Sequence, residues 1–468
     1  MADGPYCVIG AGPAGLAAAH YLTKSTDCAT VVLEGDPQVG GLSRTVEHKG
    51  FRCDIGGHRF FTKSQEVERL WREVLPSDFL RRPRLSRIYY RGKFFNYPIR
   101  LGNALAGLGP WEGLQVLASF GKARLSPTHP ELSFEDWVSN RFGYRLYSMF
   151  FRTYTEKLWG IRGTDLSADW AAQRIRNLDL SRTLLNAMGI GRGKQVASLI
   201  DEFDYPRLGP GQMYEGMAEQ CVSRGGKLLL RHRVAGLRHE NGRVVALEVD
   251  TPDGRLELDA GKVVSTMPLN EVVQRMNPLP SPDVLEAAGG LTYRSIMTVN
   301  LMLDRAETVP DTWVYLHAPE VLAGRLQLYK NWSPEMVPDP RFSSLGLEYF
   351  ATEGDSLWSN SDRSLLEIGK KDLSKLGLAK GSEVFDGFVT RYPKAYPVYN
   401  DGYQGRVDVL RSYLAQFSNL ECAGRYGQFR YNNMDHSIMT GMLAARRLCG
   451  EQCDPWGVNS EGEYLEQR

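Results

Sequence analysis

The sequence predicts an α/β protein: a Rossmann-type nucleotide-binding domain with a helical insert and an antiparallel β-sheet substrate domain. Three observations predict it. The chain opens on a buried-strand pattern, Tyr6-Cys7-Val8-Ile9, that runs into Gly10-Ala11-Gly12-Pro13-Ala14-Gly15 and then a helical LAAAHYL. From about residue 65 to 200 the apolar spacing is helical, as in SFEDWVSNRFGYRLYSMFFRTY. From about 290 to 355 strand patterns return as SIMTVNLML, TWVYLH, RLQLYKNW and LGLEYFA. A length of 468 residues fits about three folding units, or two of which one is large.

The remaining elements follow in order. Ala29–Glu34 supplies a second strand, and Lys227–Arg231, Arg243–Val249 and Gly261–Ser265 supply three more. Asn241-Gly242 and Asp253-Gly254 between them are hairpin turn signals. MDHSIMTGMLAARRL is a last helix, and the tail SEGEYLEQR is expected to fray. The nucleotide-binding domain is therefore discontinuous. It is expected to comprise 1–75, 205–285 and 405–450, with a mostly helical insert at 76–204, a β-sheet region at 286–404 and a tail at 451–468.

Composition excludes several classes. Lys+Arg 56 against Asp+Glu 55 leaves a net charge of +1, so any anion site must be local, and no nucleic-acid or anionic-membrane partner is indicated. Seven scattered Cys form no CxxC pair, and no HExxH or HxH spacing occurs, so no metal site is expected. GxSxG and GxxxxGK[ST] are absent as well. The N-terminus lacks a basic leader pattern, and no run of about 18 apolar residues exists. A cytoplasmic location is expected.

The glycine turn carries the cofactor reading. Gly10 permits a tight turn, Gly12 lets backbone approach a pyrophosphate, and Gly15 allows close helix–strand packing. The helix start then offers oriented N–H groups to the anion. Glu34 lies nineteen residues past Gly15, where a carboxylate accepts ribose hydroxyls and disfavours a 2′-phosphate. Two further clusters favour FAD over NAD. Gly40-Gly41-Leu42-Ser43-Arg44 is a second glycine turn after Glu34, and Cys422-Ala423-Gly424-Arg425 leads to a helix start at Met434-Asp435-His436-Ser437.

With these residues in place, the chain resembles the UDP-galactopyranose mutases within the amine oxidase and protoporphyrinogen oxidase-like FAD superfamily. Asp54-Ile55-Gly56-Gly57-His58 looks like their histidine loop, and Tyr154-Thr-Glu-Lys-Leu-Trp159 is similar to their YTxKQW segment. Trp170-Ala-Ala-Gln-Arg174, Arg325 with Asn331-Trp332-Ser333-Pro334, and Tyr431-Asn432-Asn433-Met434-Asp435-His436-Ser437 resemble further family elements. The chain departs at RFFTKS after His58 and at Trp332, where a tyrosine is expected.

The resemblance implies a flavin-dependent mutase that interconverts pyranose and furanose forms of a nucleotide sugar. Reduced FAD N5 would act as nucleophile at the anomeric carbon, with NAD(P)H or another donor as reductant. The alternative is an FAD-dependent oxidoreductase acting on a sugar nucleotide or biosynthetic intermediate. Implied cofactor contacts are Gly10, Gly12, Ala14, Gly15, Glu34, Gly41, Leu42, Ser43, Gly57, His58, Val234, Gly424, Arg425, Asn433, Met434, Asp435 and Ser437. His58, Arg84, Arg174 and Arg325 are the implied catalytic residues, the last two as a diphosphate clamp. Tyr97, Tyr154, Trp159, Tyr315, Trp332, Tyr396, Tyr431 and Asn433, with both clamp arginines, would hold the substrate.

Overall fold

The computed structural model describes residues 4–97, 107–168 and 200–459. Its first layer is a parallel sheet ordered Leu420–Cys422, Lys262–Ser265, Tyr6–Ile9, Thr30–Glu34, Lys227–Leu230. Tyr6–Ile9 is buried at every position, which explains an unbroken apolar run where a half-exposed strand would alternate. Successive residues serve opposite faces. Tyr6 and Val8 join one core with the helices Pro13–Ser25, Gly211–Ser223 and Met434–Leu448, whereas Cys7 and Ile9 join another with the Arg233–Glu240 and Arg243–Thr251 hairpin.

The second layer is a seven-stranded sheet ordered Val384–Pro397, Tyr293–Leu303, Ser343–Ala351, Arg325–Leu328, Trp313–Leu316, Ser86–Tyr90, Lys93–Asn96. It is antiparallel except where Trp313–Leu316 runs parallel to Ser86–Tyr90. The expected fold class holds, with two corrections of detail. The region 76–204 is not helical at its start: Ser86–Tyr90 and Lys93–Asn96 join this sheet, and Phe79–Pro83 pairs with Glu202–Pro206. Each is only four or five residues long, too short to carry a period. RLQLYKNW is a strand only to Leu328 and then turns into the short helix Tyr329–Trp332.

Val384–Pro397 shows how this layer aims its side chains. Its register against Tyr293–Leu303 shifts between Tyr392 and Tyr396, and Lys394 takes a left-handed φ of 56° within the bulge. The Ser295 hydroxyl accepts the Lys394 N–H there at 3.2 Å. Tyr396 emerges beyond the bulge beside Arg325. Among the described residues no helix is long and apolar enough to cross a membrane.

Candidate active site

The cofactor half of the site assembles around the first glycine turn. Gly10 has a φ of +97°, and a Cβ on Gly15 would lie 1.9 Å from the Gly10 carbonyl, so both positions require glycine. The second turn comes up against the first: Gly40 donates its N–H to the Ala11 carbonyl at 2.8 Å, and a Cβ on Gly41 would stand 3.2 Å from Gly12 Cα. Leu42 and Ser43 follow in a short 3-10 turn.

Glu34 ends its strand with the carboxylate already oriented. It accepts the N–H groups of Ala11 at 2.7 Å and Asp36 at 2.9 Å. Burial raises its pKa against the pull of those two bonds. His232 donates its backbone N–H to the Glu34 carbonyl at 2.8 Å, which brings Val234 of the adjoining strand close by. From the other end of the chain, Gly424 faces Ala14 with room for no Cβ beyond 2.9 Å. The helix Met434–Leu448 lies along Pro13–Ser25, and a Cβ on Gly441 would meet the Ala14 carbonyl at 2.0 Å. Asn433, Met434, Asp435 and Ser437 therefore open this helix beside the glycine turn.

The opposite half is an aromatic enclosure threaded with cations. Trp313, Tyr315 and His317 occupy every second position of one strand and its end, hence one face. Tyr315 stacks on Trp313 at 5.5 Å, meets Tyr97 at 4.6 Å and takes Tyr154 edge-on at 5.6 Å. Tyr154 stacks on His317 at 4.9 Å. Tyr396 stacks on Tyr431 at 5.6 Å and meets Trp159 edge-on at 6.3 Å. Arg425 lies 4.6 Å from the Tyr431 ring, and Arg84 lies 5.6 Å from the Tyr97 ring.

Arg325 is buried at the centre. Its guanidinium pairs with Glu348, donates to the Tyr396 hydroxyl, and lies 4.9 Å from the Trp313 ring and 4.8 Å from that of Phe350. Burial opposes its charge, but Glu348 together with Tyr396, Tyr154 and Tyr431 outweighs burial and raises its pKa. Gln327 donates to the same carboxylate at 2.8 Å. The arginine expected in the diphosphate clamp is thus already ion-paired. His58 stands near both Arg425 and Arg325. Burial first, then those two cations, push its pKa down to about 3, so the imidazole is neutral. Its Nδ1 is buried with no hydrogen-bond partner among the described residues.

Most of the expected residues meet in these two halves. Trp332 does not: it is fully buried, donates its indole N–H to the Thr312 carbonyl at 2.8 Å, and packs on Phe203 and Tyr205. It packs in the wall behind the enclosure, with Arg59 5.9 Å from its ring. Arg174 lies outside the described residues. Sequence reasoning missed Arg59, Trp313, His317 and Glu348. Arg59 sits in the departing RFFTKS stretch, 5.6 Å from the Trp313 ring and bonded to the Ser86 hydroxyl at 2.7 Å. The alternation Trp313-Val-Tyr315-Leu-His317 was a usable signal for two of the others. Glu348 carried no signal, because its role depends on a partner on the next strand.

A family model for flavin containing amine oxidoreductases matches residues 13–449. The chain belongs to that family. As a flavin containing amine oxidoreductase it takes FAD, and the residues fit this group: a glycine cradle closed to any Cβ, a pre-oriented ribose carboxylate and an orphaned imidazole nitrogen. Curated relatives at low identity include coproporphyrinogen III oxidase of Bacillus subtilis, 23% identical over 89% of this chain and 92% of its own length. Another is chloroplastic protoporphyrinogen oxidase 1 of Arabidopsis thaliana, 22% identical over 90% of this chain and 83% of its own. A crystal structure of reduced UDP-galactopyranose mutase superposes with a TM-score of 0.83 at 22% identity, covering 98% of each chain, and shares the fold.

Proposed function

We propose that this FAD-dependent enzyme is a mutase that interconverts the pyranose and furanose forms of a nucleotide sugar. The observation that carries the reading is the enclosure itself: five tyrosines, Tyr97, Tyr154, Tyr315, Tyr396 and Tyr431, interleaved with Arg84, Arg325 and Arg425. Such rings stack on a base or a sugar face, and their hydroxyls fix its orientation. The arginines offer planar donors to the diphosphate as it leaves with growing charge. Reduced FAD supplies the nucleophile when bound. His58 stays neutral beside Arg425 and Arg325. In this reading 1–75, 205–285 and 405–450 hold the flavin, while 76–204 and 286–404 enclose the substrate, with Arg174 as the second diphosphate ligand.

The names of the sequence relatives favour a second reading, net oxidation of a biosynthetic intermediate or a sugar nucleotide. One experiment separates the two. The protein is reduced by NAD(P)H or dithionite and mixed anaerobically with UDP-galactopyranose or UDP-galactofuranose. A mutase isomerises the sugar while the flavin stays reduced. If neither sugar nor any other nucleotide sugar isomerises, and some compound bleaches the oxidised flavin, the oxidoreductase reading stands in its place.

A further inference from the structure

We propose that Asp54 and Tyr205 are positioning residues for His58: together they fix the Gly56-Gly57-His58 turn where it lines the site. The inference rests on the flavin site and not on the mutase reading.

Two consecutive glycines give this turn little rigidity of its own, so its placement comes from outside. Asp54 ends the strand Phe51–Asp54, 1% exposed. Its carboxylate accepts the Tyr205 hydroxyl on one oxygen and the Thr45 hydroxyl, at 2.8 Å, on the other. Thr45 in turn accepts the Gly211 N–H at 3.1 Å. The next two carbonyls are also held. The Tyr329 hydroxyl, from the short helix, lies 3.0 Å from Asp54 O and 2.7 Å from Asn300 Oδ1, and Thr298 of the sheet donates to Ile55 O at 3.1 Å.

Beyond His58, Phe60 exchanges both backbone hydrogen bonds with Asp204, at 3.0 and 3.1 Å. Tyr205 is the next residue, so one strand, Glu202–Pro206, grips both ends of the turn. Between these grips Gly57 lies flat under Trp313, where a Cβ would be 2.3 Å from the ring. The same ribbon reaches the substrate side: just before that strand, Asp201 O accepts the Arg84 N–H at 2.7 Å.

A carboxylate this buried is costly unless its acceptors are filled, and burial lifts its pKa to about 7. Cys53, Tyr205 and Tyr329 are its titratable neighbours, with Met336 Sδ 3.8 Å from the Tyr205 hydroxyl. Arg425 and Arg325 are the charges that face His58. Their distances to the imidazole, and its isolation from water, depend on the turn staying in place.

The test uses holoenzyme labelled with 13C-histidine, the His58 resonance being assigned by its loss in His58→Asn. Wild-type, Asp54→Asn and Tyr205→Phe proteins are titrated and their flavin midpoint potentials measured without any nucleotide sugar. Freed from its anchor, His58 hydrates, and its pKa is expected to rise by about one pH unit or more in both variants, with a shifted flavin potential. Tyr205→Phe keeps the ring packing and serves if Asp54→Asn folds poorly. Wild-type titration and potential in a folded Tyr205→Phe protein, alongside a lowered melting temperature, would reduce the pair to structural support and overturn the proposal. Absence of mutase activity would leave these readouts untouched.

Discussion

At the residue scale the decisive feature is a charge balanced before any ligand arrives. Removing one member of a buried ion pair costs about 3–5 kcal/mol, because the other is left uncompensated. Arg325→Met or Glu348→Leu should therefore lower the urea-unfolding free energy by about that amount. The double variant Arg325→Met/Glu348→Leu should recover most of the loss yet remain inactive, and a double-mutant cycle read by both unfolding and turnover checks this. His317 gives a second prediction. It is 5% exposed, and burial, with help from Lys157, pushes its pKa down to about 3. The unfolded chain binds this proton below an ordinary pKa near 6.5, while the native state refuses it until about 3. Stability is thus lost as pH falls through that window, at about 1.4 kcal/mol per pH unit as an upper bound. His317→Asn should flatten this slope, as the difference between its unfolding free energies and the wild-type values from pH 7 to pH 4.

Among elements, the contact of Pro13–Ser25 with Met434–Leu448 couples cofactor binding to packing. Gly441 lets the two backbones touch at Ala14. Gly441→Ala should force them apart, cost about 1–3 kcal/mol by overpacking, and shift Asn433 and Gly424 away from the Gly12 turn. A lower flavin-to-protein ratio and a lower urea midpoint are expected, whereas Gly405→Ala, with nothing within 4 Å of its Cβ, serves as the control. Elements with a strong local pattern were legible in the sequence. Tyr6–Ile9 and Met434–Leu448 were read end to end, the first as an apolar run closed by glycine and the second as a last helix. Val384–Pro397 was not read, because an edge strand that is half-exposed along most of its length has no clean alternation, and its Gly387 and Pro393 look like breakers. The parallel pairing of Ser86–Tyr90 with Trp313–Leu316 joins stretches more than two hundred residues apart, which no local pattern encodes.

Across the whole molecule the same limit governs the site. Residue types that bear chemistry were visible, as with His58 after two glycines and Arg325, but not which carboxylate meets which cation, nor that Trp332 turns inward. Burial and pairing are decided by strands that meet only in the folded chain. The cofactor site shares this origin. Its glycine turns lie before residue 45, yet Gly424 and the helix from Met434 close it, and the sheet between draws strands from 227–230 and 262–265. A ligand bound only to the assembled state stabilises it by about 2.7 kcal/mol at a hundredfold excess over Kd. FAD should therefore act on the molecule as a whole. Apoprotein is expected to melt several degrees lower than holoprotein, roughly in line with that energy. Proteolysis in the apo form is expected first at the Gly35–Arg44 and Gly424–Asn433 connections, which border the glycine cradle. Re-addition of FAD should restore both the melt and the protection together. Coincident melting curves and identical cleavage patterns with and without FAD would instead mean that helix packing at Gly441 closes the site unaided.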